Sequence, residues 1–143
     1  MRRTIPLRAT FSALLLAAAG AGPVCAQDYG ASLAASPERH LGPCPAVIRF
    51  SGTITARKAG KVQYKFVRSD GASAPVLTLD FAAPGTKPVS TVWSLGGPTL
   101  SRYTGWQAIQ IVYPVAVASA RASFTIECQT APAGPRPSPR GSR

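Results

Sequence analysis

The sequence predicts an all-β protein, an antiparallel sandwich of about six to seven strands tied by one disulfide. Three observations lead there. Between Cys44 and Cys128 apolar residues recur at every second position, and no segment sustains a helical period. Gly, Pro, Asp and Ser cluster between these runs at the spacing of short strands joined by turns. Two cysteines bracket the span, in a chain that opens like an exported protein.

The opening reads as a signal peptide over 1–26. Arg2, Arg3 and Arg8 form a positive head, Phe11 to Ala21 an apolar run, and Val24 and Ala26 the small residues of a cleavage site, so the mature chain is expected to begin at Gln27. An apolar run of 11 residues is far short of the roughly 20 that span a bilayer, which predicts no transmembrane segment. Cys25 leaves with the signal, and the residues before it, Gly22 and Val24, do not suit lipidation. Cys44 and Cys128 then remain as an even pair in an oxidising compartment, and a secreted or periplasmic location follows.

The strands come in order. Residues 27–43, with Gly, Ser, Pro and several Ala, read as a flexible N-terminal segment ahead of a sandwich over 44–128. Ile48, Phe50 and Ile54 share one face of the first strand, with Arg49, Ser51, Thr53 and Thr55 on the other. Val62, Tyr64 and Phe66 alternate with Lys61, Gln63 and Lys65 in the second, after a turn at Arg57, Lys58, Ala59 and Gly60. Ser69, Asp70 and Gly71 make the next turn, where the Asp side chain can bond the turn backbone. Leu77, Leu79 and Phe81 form the third strand, Val89, Thr91, Trp93 and Leu95 the inward face of the fourth, Ile109 and Ile111 that of the fifth, and Ala122, Phe124, Ile126 and Cys128 that of the sixth. If every strand reverses direction, Cys44 and Cys128 come to the same end and can bond. Residues 129–143, Pro-rich and basic with no aromatic residue, read as a disordered tail.

Charge narrows the partners. Of 16 Lys and Arg, three lie in the signal, leaving 13 against 5 acids in a mature chain with net charge +8. Too few acids are present to pair these cations internally, which favours an anionic partner: a glycan, a lipid or a protein surface. No nucleic-acid motif accompanies the charge.

Catalytic chemistry finds little to use, and the expectation is a non-enzyme without cofactor or metal. His40 is the single histidine, so no second imidazole exists for a zinc site, and the cysteines are better used as a bridge. Asp70 is explained by its turn. Asp80 and Glu127 alternate outward and read as solvated or as cross-strand ion-pair partners. No nucleophile elbow or phosphate-cradling loop occurs.

The run Gly60, Val62, Tyr64, Phe66, Arg68, Ser69, Asp70, Gly71, with Val92-Trp93-Ser94-Leu95, Gly105-Trp106-Gln107 and Phe124-Thr125-Ile126-Glu127-Cys128, resembles immunoglobulin-like sandwich domains of exported bacterial proteins. The resemblance covers about Cys44 to Cys128 and implies a sandwich and a non-catalytic surface or periplasmic setting. Two features depart from antibody-type domains: the Val62–Phe66 strand carries no Trp, and the bridge joins terminal strands.

Two binding surfaces follow as expectations. If the first two strands form a hairpin, Arg49, Lys61 and Lys65 share its outer face with Arg57 and Lys58 at the turn, either as an anion site or as a solvated face that blocks edge pairing. Tyr103 and Trp106, at the end of the long connection from Gly96, serve either as a contact rim or, for Trp106, as a lid on the core. The leading functional expectation is an exported, non-catalytic binding or structural module. The alternative is a small secreted inhibitor or effector acting through the Gly96–Trp106 loop.

Overall fold

A computed structural model of the chain describes residues 27–72 and 74–129. The expected signal peptide and basic tail lie outside the described residues. Within them nine strands follow one another: β1 (Tyr29–Ser36), β2 (Arg39–Gly42), β3 (Ala46–Ala56), β4 (Gly60–Arg68), β5 (Leu77–Phe81), β6 (Gly85–Leu95), β7 (Arg102–Tyr113), β8 (Val117–Ala118) and β9 (Ala122–Cys128). They form two sheets, β1-β3-β6 and β2-β9-β7-β4-β5, with β8 paired to β7. The all-β sandwich is as expected. One pairing departs from antiparallel, since β2 runs parallel to β9 with Arg39 opposite Thr125 and Gly42 opposite Cys128.

The six expected strands are β3, β4, β5, β6, β7 and β9, and their apolar alternation forms the core. Ile48, Phe50 and Ile54 of β3 are fully buried between the sheets, as are Ile109 and Ile111 of β7 and Ile126 of β9, and Phe124 of β9 is almost so. The core divides into two clusters. One gathers Ile54, Val62, Tyr64, Phe66, Phe81 and Ile109, and the other Ile48, Phe50, Trp93, Phe124 and Ile126. In the second, Trp93 meets Phe124 edge-on with centroids 5.2 Å apart, and Phe124 meets Phe50 at 5.7 Å, the T-shaped geometry that ring quadrupoles favour.

Residues 27–43 are not a flexible approach: they supply β1 and β2. Tyr29, Ala31, Leu33 and Ala35 alternate toward the core, and Leu33 packs on both clusters. β1 runs close beside β3. At Gly52, opposite Leu33, any Cβ would collide with the Ser32 carbonyl.

This missed strand overturns the expected hairpin. β3 pairs along its length with β1 on one edge, from Tyr29 opposite Ala56 to Ser36 opposite Arg49, and with β6 on the other, from Ala46 opposite Leu95 to Ala56 opposite Gly85. Both edges of β3 are thus occupied, and β4 must join the other sheet, between β5 and β7. The turn at Arg57–Ala59 is an arch between layers, held where the Arg57 N–H donates to the Asp28 carbonyl at 2.8 Å.

Cys44 and Cys128 form the expected disulfide, with Cα atoms 5.4 Å apart. Gly96 makes room for it. Its φ is +96°, and a Cβ there would stand 2.7 Å from the Cys44 sulfur and 2.8 Å from that of Cys128, so both backbone conformation and space require glycine. Among the described residues no helix is long and apolar enough to cross a membrane.

Candidate functional site

The five basic residues expected to share one surface are divided between the two layers. Arg49 lies on the smaller sheet, paired with Ser36 and Val92. Lys61 and Lys65 lie on the larger sheet, opposite Asp80 and Gln110. Arg57 and Lys58 sit at the arch, where Lys58 contacts the Asp28 carboxylate at 2.5 Å, and this partner raises the Lys58 pKa above its ordinary 10.5. The expected patch therefore does not exist as one surface.

Tyr103 and Trp106 are not on a loop. The connection after β6 spans only residues 96–101 and is tightened by paired backbone hydrogen bonds between Gly97 and Leu100. Tyr103 and Trp106 belong to β7 and point to opposite sides of its sheet. Tyr103 packs inward against Trp93, centroids 5.8 Å apart, and its hydroxyl bonds Ser69 Oγ at 3.0 Å. Trp106 alternates outward between the buried Gly105 and Gln107, so it is neither rim nor lid.

The outer face of the larger sheet is where charge and an aromatic residue meet. Trp106 is half-buried there, paired across to Ser123, and the Arg121 guanidinium lies over its ring, 4.1 Å from the centroid. A desolvated or part-exposed stack of this kind is worth about 0.5–2 kcal/mol and holds the guanidinium in place. Along β7 and β9, Thr104 and Thr125 bond through their hydroxyls at 3.1 Å. Next to them Glu127 is shared by Arg39 and Arg102, each at 3.3 Å. On the other side Lys61 reaches Asp80 at 3.1 Å, and Lys65 stands across from Gln110. Five cations thus share two carboxylates on this face. Asp80 and Glu127 are ion-pair partners, as their outward parity suggests.

The remaining chemistry-bearing residues are engaged locally. His40 lies on β2, where its Nε2 donates to the Pro43 carbonyl at 2.9 Å. Asp70 accepts from the Ala72 N–H at 3.1 Å, the expected turn bond, and also holds Arg68 through two guanidinium nitrogens. Burial works against the Asp70 carboxylate, but the Ala72 N–H and Arg68 more than offset it and keep its pKa below the ordinary 3.8. Burial alone raises the Tyr64 phenol. No group of three or more His, Cys, Asp or Glu converges to hold a metal among the described residues.

Sequence reading missed Arg121 and Gln107. Arg121 stands just before a strand and carries no pattern of its own. Gln107 did carry a signal, since it shares inward parity with Ile109 and Ile111, and among the described residues it is the one polar residue buried in the core.

No family model and no curated protein matches the sequence. Among solved structures, the crystal structure of the cupredoxin domain of amoB from Nitrosocaldus yellowstonii is similar at TM-score 0.44 and 12% identity, over 78% of this chain and 97% of that one. At that level it adds nothing to the sandwich already described.

Proposed function

We propose that this chain is an exported, non-catalytic immunoglobulin-like binding module that takes an acidic glycan on the outer face of its larger sheet. The observation that carries the reading is the Arg121–Trp106 stack set in a hydroxyl-lined, cation-rich sheet face. Sugar rings present C–H faces that lie against aromatic rings and hydroxyls that bond Thr and Ser, and the carboxylates of an acidic glycan meet guanidinium and ammonium groups. Lys65 and Arg121 have no carboxylate within ion-pair distance among the described residues and are the expected anion contacts. Export is supported by the signal-like first 26 residues and by the Cys44–Cys128 bridge, which suits an oxidising compartment. The non-catalytic reading rests on the carboxylates: four of the five, Asp28, Asp70, Asp80 and Glu127, are each held by a basic side chain, Glu38 being the exception.

The test is binding of polygalacturonate, with dextran as the neutral comparison, at two salt concentrations. The expected result is saturable binding of polygalacturonate alone, weakening as added salt screens exposed charges over about 8 Å. The variant Lys65→Gln/Arg121→Gln should bind at least tenfold more weakly and Trp106→Ala should lose the residual contact, with deletion of residues 131–143 as control. Equal affinity of parent and double variant would remove this face from consideration, and a loss confined to the deletion would assign the attraction to the tail.

A further inference from the structure

The sandwich is open on one side. β5 and β6 are the edge strands of their sheets there, but β5 covers β4 only from Gly60 to Tyr64. Beyond Tyr64, Phe66 and Arg68 have no strand beside them on that edge, and β6 continues past them to Leu95. The gap is a cleft of about 260 Å³ that reaches into the core.

Three features give this cleft a chemical character. At its inner end is Gln107, 3% exposed, whose side-chain carbonyl Oε1 is buried with no hydrogen-bond partner among the described residues. A buried acceptor left without a donor is unfavourable, so a group that supplies one binds at an advantage. Along one wall the Arg68 guanidinium lies over Trp93, 3.8 Å from the ring centroid. Asp70 holds Arg68 there and neutralises it. The remaining lining combines apolar Phe66, Pro75, Leu77 and Val92 with Ser90 and Thr91 of β6.

We propose that this cleft is a binding site for a small neutral aromatic molecule carrying one hydrogen-bond donor, a phenol or an indole. The ring lies among Phe66, Leu77 and Arg68, and its O–H or N–H donates to Gln107 Oε1 once that side chain turns toward the cleft. Neutrality follows from the closed Arg68–Asp70 pair, and size from a cavity just below the range of about 300–1,000 Å³ that drug-sized ligands occupy. The site is separate from the glycan face: Trp93, Gln107 and Phe66 point between the sheets, whereas Trp106 and Lys65 point out.

The experiment titrates the folded protein with phenol and, separately, with toluene, following the Trp93 indole and Leu77 methyl signals by NMR. Phenol is expected to shift both, saturably. In Gln107→Leu, which keeps the side-chain volume but lacks the acceptor, phenol affinity should fall about five- to tenfold, while toluene affinity stays within about twofold. The proposal is overturned if phenol produces no saturable shift at millimolar concentration, if the shifts map away from the cleft, or if Gln107→Leu weakens phenol and toluene alike. Failure of the variant to fold would leave the decision to the parent protein's shifts, which by themselves locate or refute the site.

Discussion

At the scale of single residues, Asp70 shows most fully how a polar group is matched to its partners. Its carboxylate terminates a turn through the Ala72 N–H and at the same time fixes Arg68 against Trp93. Because its folded pKa lies below the ordinary 3.8, its contribution to stability is complete above that value and is lost as pH falls through the folded one. Denaturant midpoints followed from pH 5 downward should therefore decline less steeply in Asp70→Asn than in the parent, the two curves converging in strong acid. Parallel curves would show that Asp70 is as well solvated unfolded as folded. Gly96 is the residue-scale counterpart in the backbone, where the disulfide occupies the volume that any side chain would need.

At the scale of elements, β1 decides the layout. It occupies the edge of β3 that a hairpin would have used, sends β4 to the opposite sheet and so divides the basic residues that neighbour each other in sequence. Its anchoring residue is Leu33, which touches both core clusters. Leu33→Ala should lower stability toward the low end of the roughly 2–5 kcal/mol typical of buried leucines, since Leu33 keeps part of its surface exposed. Urea denaturation measures this, and a change below about 0.5 kcal/mol would mean that β1 is docked by its backbone pairing alone. The alternation Tyr29, Ala31, Leu33, Ala35 was visible in the sequence, but alanines mark a buried face weakly, and the Gly and Pro nearby suggested a linker.

At the scale of the whole molecule, the Cys44–Cys128 bridge joins residues 84 positions apart and so constrains nearly the entire folded span. Closing a loop of this length in the unfolded chain corresponds to about 4–5 kcal/mol in the chain-entropy model, a large part of the roughly 5–15 kcal/mol by which domains are stable. Reduction, or the paired change Cys44→Ala/Cys128→Ala, should lower the unfolding free energy by up to that amount. An unchanged denaturation curve would place the stability entirely in the two core clusters. The bridge also sits where β2 and β9 run side by side, with Gly42 opposite Cys128, so it ties the edge strand to the sheet as well as the entry to β3 to the end of β9.

What the sequence determined by itself was the class of structure and the inside of it. Period-two alternation assigns a residue to one of two faces from local information alone, so Ile48, Phe50, Tyr64, Phe66, Trp93, Phe124 and Ile126 were legible as core, and the six main strands with them. The cysteine pair was legible because Cys44 and Cys128 bracket the alternating span. What the tertiary structure decided was which strands are neighbours. Strand pairing depends on contacts between residues distant in the chain, and alternation is silent on whether a turn closes a hairpin or crosses between layers. Arg49 and Lys61 therefore part company, Arg121 comes to rest on Trp106, and the buried Gln107 lines a cleft between the sheets, none of which could be read from spacing along the chain.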